Sequence, residues 1–158
     1  DKKKYYLEYI ESSNSTLQLG IWHRKDACLI GMISLDSINY INRSAGMGAI
    51  IGLKKYRNLV HHVEACKLII RHGFESLNLN RIFAGSIRKD QDQIFCRMLG
   101  FHHEGVSKSA VFKRGTYHDV YNHAILWSDY LNTSYVSDDL AIAHAKKLSA
   151  GTLGDEDL

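Results

Sequence analysis

The stretch 54–65 carries Lys54, Lys55 and Arg57 immediately before Leu59, Val63, Cys66, Ile70 and Phe74, which recur at helical spacing. The first N–H groups of a helix lack intrahelical partners, and the positive end of the helix dipole lies there. A basic loop opening onto such a helix therefore suits an anion such as a phosphate. The same residues also fit an ordinary strand–loop–helix connection with solvated lysines, and both readings stand on this stretch alone. His61-His62 does not make a metal pair, because adjacent helical residues point about 100° apart and cannot close on one ion. The other histidines, His23, His72, His102, His103, His118, His123 and His144, are scattered along the chain, so no metal site is expected.

These residues need elements to hold them. Positions 17–23 alternate as a strand with one buried face, 24–26 turn, and 27–35 form a mainly apolar strand. A polar connection, 38–44, leads to a strand over 45–53, where Gly46, Gly48 and Gly52 predict a bulge or a close backbone approach. The central helix runs over about 60–74, a strand over 81–87 and a helix over 90–99 with Gly100 as its cap. An irregular strand, 101–112, turns at 113–116 into 117–127 as a hairpin. Short helices are expected over 4–11 and 138–148, and an acidic, disordered tail over 151–158. The reading is one domain over 1–130 followed by an appendage, 131–158. The crossover through 45–87 is parallel and the hairpins antiparallel, which gives an α+β fold with a mixed sheet.

Composition bounds the function. The chain has 158 residues, enough for one substantial core, and 45% hydrophobic with 23% charged residues is ordinary for a globular domain. A net charge of +3 is too small to argue for nucleic acid, although it would not repel a polyanionic cofactor. Three cysteines at unhelpful spacings read as reduced thiols, which predicts a cytoplasmic protein. No apolar run reaches membrane-spanning length, and no signal-peptide core follows Asp1-Lys2-Lys3-Lys4, so no membrane partner is expected.

Tyr56-Arg57 followed by Glu64-Ala65 resembles the phosphate-loop segment of the GCN5-related N-acetyltransferases (GNAT) in their RimJ/RimL-type branch, which reads Tyr-Arg-x-x-Gly-x-Gly/Ala-x-Glu-Ala. Leu77-Asn78-Leu79-Asn80-Arg81-Ile82, Met98-Leu99-Gly100-Phe101-x-x-Glu104-Gly105 and Gly115-x-Tyr117-x-Asp119 follow in the family's order and spacing, and the matches cover about residues 15–130. The resemblance implies the GNAT fold, acetyl-CoA as co-substrate and an amine-bearing acceptor, whether protein N-terminus, amino sugar or other small amine. Family members usually begin with one more strand and helix, so either the sequence is trimmed there or, as is expected, the sheet lacks its usual first strand. The hypothesis for the edge left open is that a second copy of the chain, or the segment 131–148, covers it.

By the same resemblance, backbone groups of Ile50, Ile51, Gly52 and Leu53 would hold the pantetheine arm. Arg57 and the loop N–H groups of Asn58, Leu59, Val60, His61, His62 and Val63 would hold the pyrophosphate, with Lys89, Phe95 and Met98 along the other side. Val60 and His62 stand at the family's two glycines and Lys89 at its asparagine. Cys96 stands where many members carry the tyrosine that protonates the leaving thiolate. An unperturbed thiol titrates near ~8.5, which suits that role, while a buried structural thiol is the competing reading. Asp119 is the candidate for taking a proton from the amine, or else a hairpin residue paired with Arg114. Glu104 reads as structural. Against the enzyme stand a non-catalytic interaction module with a degenerate CoA site, on Val60, His62 and Lys89, and a nucleotide-binding domain, which lacks a Gly-rich fingerprint.

Overall fold

The structure, a computed structural model, describes residues 13–137. The helices expected over 4–11 and 138–148 and the tail 151–158 lie outside them. The described chain runs β1 (Leu17–His23), β2 (Cys28–Asn39), β3 (Ser44–Ile51), α1 (Leu59–Glu75), β4 (Arg81–Ser86), a π-helix (Gln93–Met98), β5 (His102–Lys113), β6 (Thr116–Leu126) and the short α2 (Trp127–Tyr130). The strands form one mixed sheet in the order β1-β2-β3-β4-β6-β5. Among the described strands only β3 and β4 pair in parallel; every other pair is antiparallel. Among the described residues, no helix is long and apolar enough to cross a membrane.

The sheet and α1 share one core. Cys66, Ile69, Ile70 and Phe74 of α1 are buried against Ile33, Leu35, Ala45, Ile82 and Ile125 of the sheet. The helix lies close because Gly73 has no side chain: a Cβ there would come within 2.9 Å of Ile82 Cδ1. Tyr130 closes the far end, fully buried, stacked on Phe74 and hydrogen-bonded to Glu75. Arg81 and Glu104 form a bidentate pair at 2.6 and 2.5 Å that reaches across β6, the structural role read for Glu104.

Two expectations need correction. The strand read as 27–35 continues to Asn39, because Ser37 takes a left-handed φ of 52° and the register shifts there instead of ending the strand. The helix read over 90–99 is a 3₁₀ turn at Lys89–Gln91 followed by the π-helix, a wider coil that apolar spacing does not distinguish from an α-helix. Gly100 ends it at φ 77°, with Phe101 N–H donating to Phe95 O at 2.9 Å.

Candidate active site

Strands β3 and β4 pair over Ser44↔Arg81, Ala45↔Ile82 and Gly46↔Phe83, and then their ladder ends. No bulge at Gly48 drives them apart: β3 stays in unshifted register with β2 from Gly46 to Ile51. The irregularity comes at the strand's end, where Gly52 N–H and Leu53 N–H converge on Ile30 O at 2.9 and 3.2 Å. Gly31 lets β2 follow β3 this far, since a Cβ there would sit 2.2 Å from Ile50 O.

The ladder also decides which backbone groups face the gap. Gly52 N–H points to β2, so even residues of β3 bond to β2, while Met47, Ala49 and Ile51 turn N–H and C=O towards the departed β4. The groups expected from Ile50, Gly52 and Leu53 are therefore already engaged. Ile50 is in the β2 ladder, and Leu53 O accepts from Tyr56 N–H. Arg57 takes two more: its Nε donates to Ile51 O at 2.9 Å and its Nη2 to Gly52 O at 2.8 Å. The open rim is Ala49 with the Ile51 N–H, and Ala49 is a residue the motif did not single out. Strand parity could have found it once the exact strand ends were known.

Residues 52–58 carry the chain from β3 to α1, so the helix begins at the mouth of this gap. Tyr56 pins the loop: its buried ring lies beside His23 and His61, and its OH donates to Asp26 Oδ2 at 2.5 Å. Donation to that carboxylate, which favours the neutral phenol, is the chief cause that raises it to about 12. Lys55 Nζ joins the same Asp26 at 3.1 Å, which turns it away from the helix start. Asn58 caps α1, its Oδ1 accepting from His61 N–H at 2.9 Å, and His62 N–H reaches Asn58 O at 3.4 Å. His61 Nδ1 folds back to within 3.1 Å of Tyr56 O. Leu59 and Val60 are then the first-turn residues whose N–H groups have no recorded partner among the described residues.

The two residues at the family's glycine positions fit without left-handed backbone. Val60 and His62 are both inside α1, and neither is among the residues with positive φ. Val60 is 70% exposed. His62 shares a stripe with Cys66, Ile69 and Gly73, the stripe turned to the sheet, and burial lowers its imidazole below the usual 6.5.

On the far side of the gap, Met98 lines a hollow of about 520 Å³ together with Leu59, Val60, Val63, Lys67 and Tyr135, so it faces α1. Phe95 does not: it is buried against Phe101 and stacked at 4.7 Å on His123. Lys89 is exposed on the 3₁₀ turn. Cys96 is partly buried, and burial, then the charge of Asp92, raises its thiol, which stays protonated at neutral pH. Asp119 sits on the outer half of the hairpin, accepting from Lys108 Nζ at 2.8 Å and Ser109 N–H at 2.9 Å instead of meeting Arg114. Those bonds hold its carboxyl below the usual range. It is four residues along β6 from His123, or ~13 Å at strand rise, so the hairpin does not bring it beside Cys96. The histidines that read as scattered include two that the fold joins: His103 and His123 are cross-strand partners, and both lie next to Asp92.

No family model matches the chain. It is 29% identical over 102 residues, 64% of its length, to YdaF of Bacillus subtilis (strain 168), whose name is that of a ribosomal N-acetyltransferase, and it spans 55% of that protein. It is 31% identical over 134 residues to YjcK of the same organism, named as an N-acetyltransferase, covering 81% of this chain and 72% of that one. The spermidine N-acetyltransferase of Vibrio cholerae in complex with CoA and spermine superposes with a TM-score of 0.74 at 27% identity, over 83% of this chain and 76% of that one. A dodecameric structure of the Vibrio enzyme gives 0.73 at 28%, over 84% and 77%. With the mixed sheet, its parting central strands and the helix that opens between them, these likenesses establish that the chain belongs to the GCN5-related N-acetyltransferase family.

Proposed function

We propose that the protein transfers acetyl from acetyl-CoA to a primary amine. The observation that carries this reading is the pair of open N–H groups, Leu59 and Val60, at the start of α1 where β3 and β4 part. In the reaction the nitrogen of a neutral amine attacks the thioester carbonyl carbon. The C–N bond forms, the C–S bond breaks, the amine gives up one proton and the thiolate takes one. Leu59 and Val60 N–H receive the pyrophosphate, and Lys54, exposed beside them, shares its charge. Ala49 offers its backbone to the pantetheine amides, and Met98 lies along the arm. Cys96, protonated at neutral pH, supplies the proton to the departing thiolate. Asp119, held ionised by Lys108, stays with the hairpin, and the amine's proton leaves through water.

The acceptor is a protein N-terminus or a small polyamine. The RimJ/RimL-type motifs and the name of YdaF support the first, and the spermine-bound Vibrio enzyme the second. The dodecameric relative supports an oligomer, and three free thiols support a cytoplasmic setting. CoA release assayed with an N-terminal peptide, spermidine and an amino sugar tests the reading. Turnover of one acceptor class is expected, and no turnover of any, in a protein that binds acetyl-CoA, would overturn it.

A second reading, an interaction module that keeps the fold and not the reaction, is favoured by Arg57. Its guanidinium is bound to Ile51 O and Gly52 O and so is not free to grip a phosphate. Failure to bind acetyl-CoA at all would select that reading.

A further inference from the structure

We propose that Asp92, His103 and His123 form a site for one zinc-class divalent metal ion, tying the segment that leads into the π-helix to the β5–β6 hairpin. Three elements deliver the ligands. Asp92 stands just before the π-helix, while His103 and His123 face each other across β5 and β6. One oxygen, Asp92 Oδ1, lies 2.6 Å from His123 Nε2 and 3.8 Å from His103 Nδ1, and the three ligand atoms all lie within 4.8 Å of one another. The longer distance is beyond a hydrogen bond, so hydrogen bonding does not account for the position of His103. Neighbouring ligands around a tetrahedral zinc stand ~3.3 Å apart, given Zn–N bonds of about 2.0–2.1 Å. Closing the site therefore asks for shifts of ~1 Å, which rotation of the partly exposed Asp92 and His103 supplies.

The surroundings favour an ion over a loose cluster. His123 is 0% exposed and its ring stacks on Phe95, so its Nε2 is aimed outward at the other two groups. Asp92 and His103 side chains are 35% and 40% exposed, which gives the ion an entry path and leaves a fourth position for water. Two imidazoles and a carboxylate suit zinc or cobalt better than magnesium or calcium, which prefer oxygen ligands. His123 Nδ1 is buried without a partner. Zinc-bound imidazoles usually donate that second N–H, and losing such a contact weakens binding about 10–100-fold. The expected affinity is accordingly about 10–100-fold below that of a site whose second imidazole N–H is bonded.

The test uses the whole chain without a histidine tag, stripped with a chelator. Cobalt(II) is titrated while its visible ligand-field absorption is followed, and zinc is then added to displace it. One equivalent bound with the intense band of a four-coordinate ion, and a rise in melting temperature with zinc, is the expected result. His103→Ala and Asp92→Asn, both at partly exposed positions, should each weaken binding by about tenfold or more and abolish the melting shift, while their metal-free melting temperatures stay near the parent's. No stoichiometric binding by the parent would overturn the site. So would binding that both variants retain, which would assign the ion to histidines elsewhere.

Discussion

Asn58 is the residue on which the proposed anion site depends most directly, because its side chain takes the His61 N–H and so fixes which N–H groups remain open. Asn58→Ala should cost about 1 kcal/mol of stability. It should also weaken acetyl-CoA binding, because the freed cap no longer orders the loop; calorimetry and denaturant melts read the two effects separately. His62 makes a pH-dependent contribution. Its folded pKa lies below the usual 6.5, so the unfolded chain binds the proton more readily. Its contribution is then full above the unfolded value and is lost as pH falls from there through the folded value. Denaturant melts of parent and His62→Gln across that window should show the parent losing more stability. Cys96→Ala should lower kcat and leave the KM for acetyl-CoA unchanged, as fits a proton given only while the C–S bond breaks. At this scale the sequence was informative about residue type and less so about engagement. Arg57 is present where the motif puts it, Lys55 lies in the basic stretch beside it, and Phe95 is on the helix that the resemblance implies. Their partners, two carbonyls, Asp26 and His123, come from other elements and leave no local pattern.

At the scale of elements, the gap depends on β2 and β3 staying together while β4 leaves. Gly31 permits this, so Gly31→Ala should destabilise the fold by ~1–3 kcal/mol and displace the β3 rim, with a loss of acetyl-CoA affinity beyond what stability explains. Thermal melts with and without acetyl-CoA separate the two. Strand and helix positions were largely legible because apolar alternation and the stripe at Leu59, Val63, Cys66, Ile70 and Phe74 are strong local signals. The β1 strand and the hairpin lie within a residue or so of their expected bounds. The misses share a physical cause. The turn of β2 at Ser37 and the widening of the helix at 93–98 are backbone adjustments imposed by neighbours, and side-chain periodicity does not encode them. The pairing of His103 with His123 is likewise a matter of register, 20 residues apart in sequence.

On the scale of the whole molecule, β1 is one edge of the described sheet, and an exposed edge invites pairing. The expectation is that another copy of the chain, or the segment 131–148, covers it. The described part of that segment packs elsewhere, Tyr135 OH donating to Leu99 O and Ser137 N–H to Glu75 Oε1, and light scattering combined with amide exchange along β1 tests the expectation. A monomer with rapidly exchanging β1 amides would refute it. The central claim is that the start of α1 is an adapted acetyl-CoA site, with Val60 and His62 seated in right-handed helix where the family carries glycines. Titration of acetyl-CoA by calorimetry into the parent and into the Val60→Gly, His62→Gly variant tests that claim most directly. The account predicts binding by the parent and equal or weaker binding by the variant, because glycine relieves no backbone strain there and costs up to ~1 kcal/mol per residue in ordering the first turn. Tighter binding by the variant would mean a degenerate site, and no binding by either protein would contradict the enzyme reading.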